Sequence, residues 1–230
     1  MGFSLAWMAM KDTDADAACA ALGMERKGGG QPYPDYEFSG AALPGGWYLA
    51  VGDRSGYEFI AHNDHAALSA ARDVIVCEVE EHVMSSSAAL WRGGACLWKV
   101  IHESDNGRCH LEVEGEPPAE FESVRAEYLA KQDAEGGEDA DVDYIFEVPL
   151  RLAQDIAGFK HDETPAEGPE PRFEKLALRK GVKRPKDPEM ERAWKLWRMP
   201  REDRPPLWSW PFIWLLLWYV QRDEKRGRRR

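Results

Sequence analysis

The sequence predicts an α+β fold: a mixed or antiparallel sheet covered by helices on one face, followed by a helical, basic, tryptophan-rich C-terminal appendage. Three observations carry this. Residues 1–73 alternate short apolar runs with alanine-rich segments. Residues 74–114 hold three strand-like runs parted by Gly93-Gly94 and Asn106-Gly107. The charge then changes sign along the chain: residues 161–230 hold 18 Lys and Arg against 12 Asp and Glu, leaving 12 against 29 for residues 1–160. With 43% hydrophobic and 31% charged residues, the composition is globular. The acidic body would repel phosphates, so nucleic acid is not expected as its partner.

Phe3–Met10 is short and apolar and reads as a buried first strand. It makes a poor signal peptide, because no Lys or Arg precedes it and acid follows at once. Thr13 or Asp14 can cap a helix over Ala15–Leu22 that Gly23 ends. Residues 28–46 read as a long loop; their GGG precedes Gln-Pro rather than a helix, so it is not a phosphate cradle. Trp47–Val51 is a second strand, and Asn63 or Asp64 caps a short helix over residues 64–72. The meander over about 74–114 follows. Two-residue turns at Gly93-Gly94 and Asn106-Gly107 set Trp91 against Cys96, Ala89 against Trp98 and His102 against Leu111. Alternation then puts Trp91, Cys96, Trp98, Val100, His102, Cys109, Leu111 and Val113 on one apolar face. Lys99, Glu103, Arg108, His110, Glu112 and Glu114 share the wet face.

After Pro117-Pro118 a helix is expected over residues 119–132, with Phe121, Val124, Tyr128 and Leu129 on one stripe. An acidic loop (133–143), an extended YIFEV and a helix from Pro149 to Gly158 follow. The Pro/Glu/Gly linker at 161–171 is expected to end the acidic domain of residues 1–160. Beyond it come a basic amphipathic helical segment, 172–204, and an apolar tail with a terminal arginine block, 205–230.

The stretches EEHVMSSSAALWRGG, CHLEVEGEPPAEF, DADVDYIFEVP and GFKHD resemble an uncharacterised bacterial protein family. The resemblance covers residues 1–162 and implies one folded unit ending near Asp162. It implies no activity, cofactor or partner.

Candidate chemistry is sparse. His62 and His65 stand three apart, close enough on a helix to share a metal, but no third ligand is identifiable. Asp139, Asp141 and Asp143 begin a calcium-loop pattern, yet Tyr144 and Leu150 stand where the turn glycine and the bidentate glutamate belong. A solvated acidic loop, with no cofactor or metal, is the expectation. The four cysteines form no CxxC pair and read as reduced, mostly buried thiols. His102, on the apolar face, needs a partner for each ring nitrogen, and Ser85 and Ser104 lie nearest by register. It is either a buried, hydrogen-bonded histidine or a general base acting with Cys109.

In the appendage Met190, Trp194 and Trp197 share a helical stripe, and Trp208, Trp210, Trp214 and Trp218 follow before Arg228, Arg229 and Arg230. Leu207–Val220 is fourteen residues long and contains Pro211, short for a membrane span. Both flanks are basic, so no orientation is favoured. A segment lying in the membrane interface, a short span, and a tail packed on protein all remain open. The expected function is a non-enzymatic adaptor or inhibitor-like protein, cytoplasmic or peripheral at the inner membrane face, that meets a protein partner through its acidic surface. The alternative is a small hydrolase or transferase with a cleft around His102.

Overall fold

A computed structural model describes residues 2–163 and 170–185. Residues 1–184 form one compact unit. Its frame is a sheet of nine strands, all neighbours antiparallel, in the order β2-β9-β3-β4-β1-β5-β6-β7-β8. The strands are β1 (Ser4–Lys11), β2 (Met24–Gln31), β3 (Phe38–Leu43), β4 (Trp47–Gly52), β5 (Val74–Glu80), β6 (Ser85–Arg92), β7 (Ala95–Glu103), β8 (Glu112–Gly115) and β9 (Phe173–Leu178). Five helices accompany them: α1 (Ala15–Ala21), α2 (Tyr57–Ala61), α3 (His65–Leu68), α4 (Phe121–Ala134) and α5 (Glu147–Ala157). The α+β class therefore holds, with a large antiparallel sheet.

Helices cover both faces of the sheet, where one was expected. On β1 the side chains of Leu5, Trp7 and Ala9 point into a core shared with α4 and α5, while Ala6, Met8 and Met10 point into a second core with α1 and α2. A strand buried on both sides has no wet face to alternate with, so β1 reads as an unbroken apolar run.

The local start and stop signals mostly operate as expected. Asp14 caps α1 by accepting from the Ala17 amide at 2.7 Å, and Asp64 caps α3 through Ala67. Gly158 closes α5 in the left-handed conformation, φ 75°, its N–H bonding the Gln154 carbonyl. The helix itself starts two residues before Pro149, and the preceding YIF forms a turn rather than an extended piece. Pro149 sits in the first turn, where a missing N–H costs nothing.

Three sequence-based expectations are overturned. The segment 28–46, read as a loop, supplies half of β2 and all of β3. β2 lies at the sheet edge with seven of its eight residues exposed, so it carries no apolar pattern. The run DVIVCEVEEHVMSSSAALW is two strands, parted by a turn in which Met84 takes φ 49°. Residues 173–178, placed in a helical appendage beyond the linker, form β9 inside the sheet.

The meander register is right at one turn and shifted at the other. Trp91 opposes Cys96 as expected, but a bulge follows, and Leu90 rather than Ala89 opposes Trp98. One extra residue reverses the faces beyond it. Trp91 packs in the α1/α2 core, Trp98 in the α4/α5 core, and Cys96 is exposed. At the second turn a single 3-10 turn (Ser104–Asn106) replaces the tight hairpin, yet Val100 still opposes Val113 and Ile101 opposes Glu112, continuing the expected register.

Close packing around β9 explains one glycine. A Cβ on Gly40 would collide with the Tyr48 hydroxyl, which lies 3.2 Å from Glu174 on β9 and 3.6 Å from the Cys19 thiol. Gly40→Ala is expected to destabilise the protein by about 1–3 kcal/mol through overpacking, measurable by urea denaturation. An unchanged midpoint would contradict the packing described.

Candidate functional site

His102 lies near the end of β7 on the α4/α5 face and is fully buried. Its Nδ1 lies 2.8 Å from the His110 carbonyl and its Nε2 lies 3.1 Å from Asp143 Oδ2. Oxygen atoms thus hold the ring at both nitrogens, and the His102–Asp143 contact is a buried pair. Asp143 also accepts the Phe146 amide on Oδ1. Burial alone would raise this carboxyl, but the hydrogen bond and charge of His102 outweigh it and hold Asp143 below the usual aspartate range.

The loop that delivers Asp143 is built on Gln132, fully buried on α4. Its amide donates to the carbonyls of Gly137 (2.7 Å) and Val142 (3.1 Å), and its Oε1 accepts from the Tyr144 amide (2.8 Å). Asp143 is thus spent on His102, and the calcium-like run of aspartates is split: Asp139 and Asp141 are exposed while Asp143 is buried. The serines expected beside His102 are close but differ in role. The bulge brings Ser86 rather than Ser85 opposite it, and Ser86 bonds the Phe146 carbonyl. Ser104 instead helps hold the Asp143 carboxyl down.

The remaining candidates do not assemble into a reactive group. Burial pushes the thiols of Cys19, Cys77, Cys96 and Cys109 up, and Glu138 pushes Cys109 further. All four are free; Cys19 and Cys77 are buried, Cys109 is half-buried and Cys96 exposed. His65 is buried under Trp91, its Nε2 bonds the Ile60 carbonyl at 2.9 Å, and burial pushes its pKa down. His62 Nε2 stands 3.4 Å from Glu58. Among the described residues no group of three or more His, Cys, Asp and Glu could hold a metal ion. Trp194, Trp197, Trp208, Trp210, Trp214, Trp218, Arg228, Arg229 and Arg230 lie outside the described residues. Among those described, no helix is long and apolar enough to cross a membrane.

One stretch of the chain stands out by charge. From edge strand β8 through helix α4 and the loop after it, eleven exposed carboxylates lie between Glu112 and Asp141, against two bases in the same stretch, Arg125 and Lys131, while Lys99 on β7 stands across from Glu114. Both bases are already paired, with Glu122 and Glu127. The acidity of residues 1–160 was legible in composition; the exposure of all eleven carboxylates and the edge position of β8 were not.

No protein-family model, curated protein or solved structure matches this chain.

Proposed function

We propose that the protein is a non-enzymatic interaction module, an adaptor or inhibitor, whose acidic edge engages a basic protein partner and whose C-terminal tail tethers it to the inner membrane surface. The observation that carries this reading is the run of eleven exposed carboxylates from Glu112 to Asp141, which begins on the sheet's edge strand β8. An edge strand bearing Glu112 and Glu114 repels a second copy of itself, so electrostatic complementarity selects a basic partner. The burial of His102, with both ring nitrogens bonded, weighs against the alternative hydrolase or transferase centred there.

The test replaces Glu112, Glu114 and Glu116 together by Gln, all at exposed positions. The full-length chain is expected to capture a basic partner in a salt-sensitive manner, and the variant to lose most of that capture at unchanged thermal stability. Equal capture by both chains, or capture indifferent to salt, would count against the reading.

A further inference from the structure

Strand β8 ends the sheet, and no described strand pairs with its outer side. The direction of its backbone groups follows from two hydrogen bonds at either end of β7. The Ser104 amide bonds the Met84 carbonyl, on the β6 side, and the Glu116 amide bonds the Leu97 carbonyl, on the β8 side. In an antiparallel ladder, hydrogen-bonded and non-hydrogen-bonded pairs alternate. The two bonds agree: even-numbered residues of β7 turn their backbone groups to β6 and odd-numbered ones turn theirs to β8. Lys99 and Ile101 therefore exchange bonds with Glu114 and Glu112, and the N–H and C=O of Val113 between them point away from the sheet.

The side chains of β8 divide by the same alternation. Val113 stands across from Val100, a member of the α4/α5 core, yet remains 40% exposed. Glu112 and Glu114 lie on the opposite face, exposed, across from Ile101 and Lys99. Two glutamates share that face with one cross-strand base. The edge thus offers three features at fixed spacing. Val113 presents an open amide and carbonyl, its apolar side chain is uncovered on one face, and a carboxylate flanks it on either side on the other.

We propose that β8 binds its partner by strand addition, taking up an extended segment of basic–apolar–basic sequence. This rests on the proposed engagement of a basic partner and adds the form that partner takes. An antiparallel segment exchanges two backbone bonds between its apolar residue and Val113. Its basic residues then fall at non-hydrogen-bonded positions opposite Glu112 and Glu114, where cross-strand side chains approach most closely. A neutral or acidic segment could make the same backbone bonds but would leave the glutamates unanswered or repelled.

The full-length chain is to be titrated calorimetrically with acetyl-Lys-Val-Lys-Val-Lys-Val-Lys-amide. Saturable binding is expected, weakened by about tenfold or more when the valine amides of the peptide are N-methylated, because those are the groups that pair with Val113. The rearranged peptide acetyl-Lys-Lys-Lys-Lys-Val-Val-Val-amide, equal in charge, should bind weakly to a similar degree. Val113→Pro should also lose the alternating peptide: its N–H makes no bond within the sheet, so proline removes the edge donor and leaves the ladder intact. The peptide comparisons use the parent protein and decide the matter even if that variant is unstable. The Glu112/Glu114/Glu116→Gln variant should bind the alternating peptide more weakly than the parent. Equal binding of all three peptides overturns strand addition while leaving an acidic contact for a basic partner in place. Binding abolished by N-methylation but unchanged in the Gln variant overturns the choice of a basic segment, and with it the charge-based reading. No saturable binding of the alternating peptide overturns the proposal outright.

Discussion

A chain ended at residue 163 is expected to lose cooperative folding, while one ended at residue 185 keeps it. Strand β9 lies between β2 and β3, so its removal takes the only strand partner of β2 among the described residues and exposes a new edge on β3. It also takes a buried side chain from each core: Phe173 packs on Phe159, which in turn packs on Trp7, and Leu176 belongs to the α1/α2 cluster. Burying two such side chains contributes about 3–6 kcal/mol. That is comparable to the whole stability of an ordinary domain, about 5–15 kcal/mol. Glu174 adds contacts to Arg26, 148 positions earlier, and to Tyr48. Thermal denaturation followed by circular dichroism distinguishes the two chains. Equal, sharp transitions in both would show that residues 173–178 are dispensable and would overturn the topology.

His102→Ala should cost about 3–5 kcal/mol, because it strands Asp143 as an unpaired buried carboxylate rather than merely deleting a hydrogen bond. The loss has a pH signature. In the native protein Asp143 is held below its unfolded value, so the stability it contributes is present above about pH 4 and is lost as pH falls through the lower folded value. Without His102, burial is the dominant influence left on this carboxyl and raises it, so the variant should become relatively more stable toward acid, the reverse trend. Urea denaturation across pH 3–7 on both proteins reads this out. A parallel pH dependence in parent and variant, or a cost below about 1 kcal/mol, would refute the buried pair.

The acidic partner of His102 illustrates why part of this chain resists reading. That His102 is buried follows from alternation along β7, a signal carried by neighbours two residues away. That its partner is Asp143 follows from nothing local: 41 positions separate them, and the contact depends on Gln132 folding the intervening loop. The same run of aspartates looks like a metal loop in sequence, and only the burial of its last member shows otherwise. Likewise the one-residue bulge between the Leu90–Trp98 and Trp91–Cys96 pairs leaves no mark in the residue pattern, yet it sends Trp91 and Trp98 to opposite cores.

By itself the sequence determined the α+β class, the helix starts at Thr13 or Asp14 and at Asn63 or Asp64, the αL stop at Gly158, the central strands β1 and β4, the pairing of β7 with β8 and the burial of His102. All of these rest on signals within a few residues: side-chain capping oxygens, glycine at positive φ, and alternation or continuity of apolar residues. Only the tertiary structure decided that residues 173–178 belong inside the sheet, that helices cover both faces and that β2 and β3 are strands. Each of those depends on which strand lies beside which. Pairing energy comes from backbone hydrogen bonds and buried area shared between distant segments, so no single segment carries it. β9 is the clearest instance, six residues behind a Pro/Glu/Gly linker whose place is set by the gap between β2 and β3.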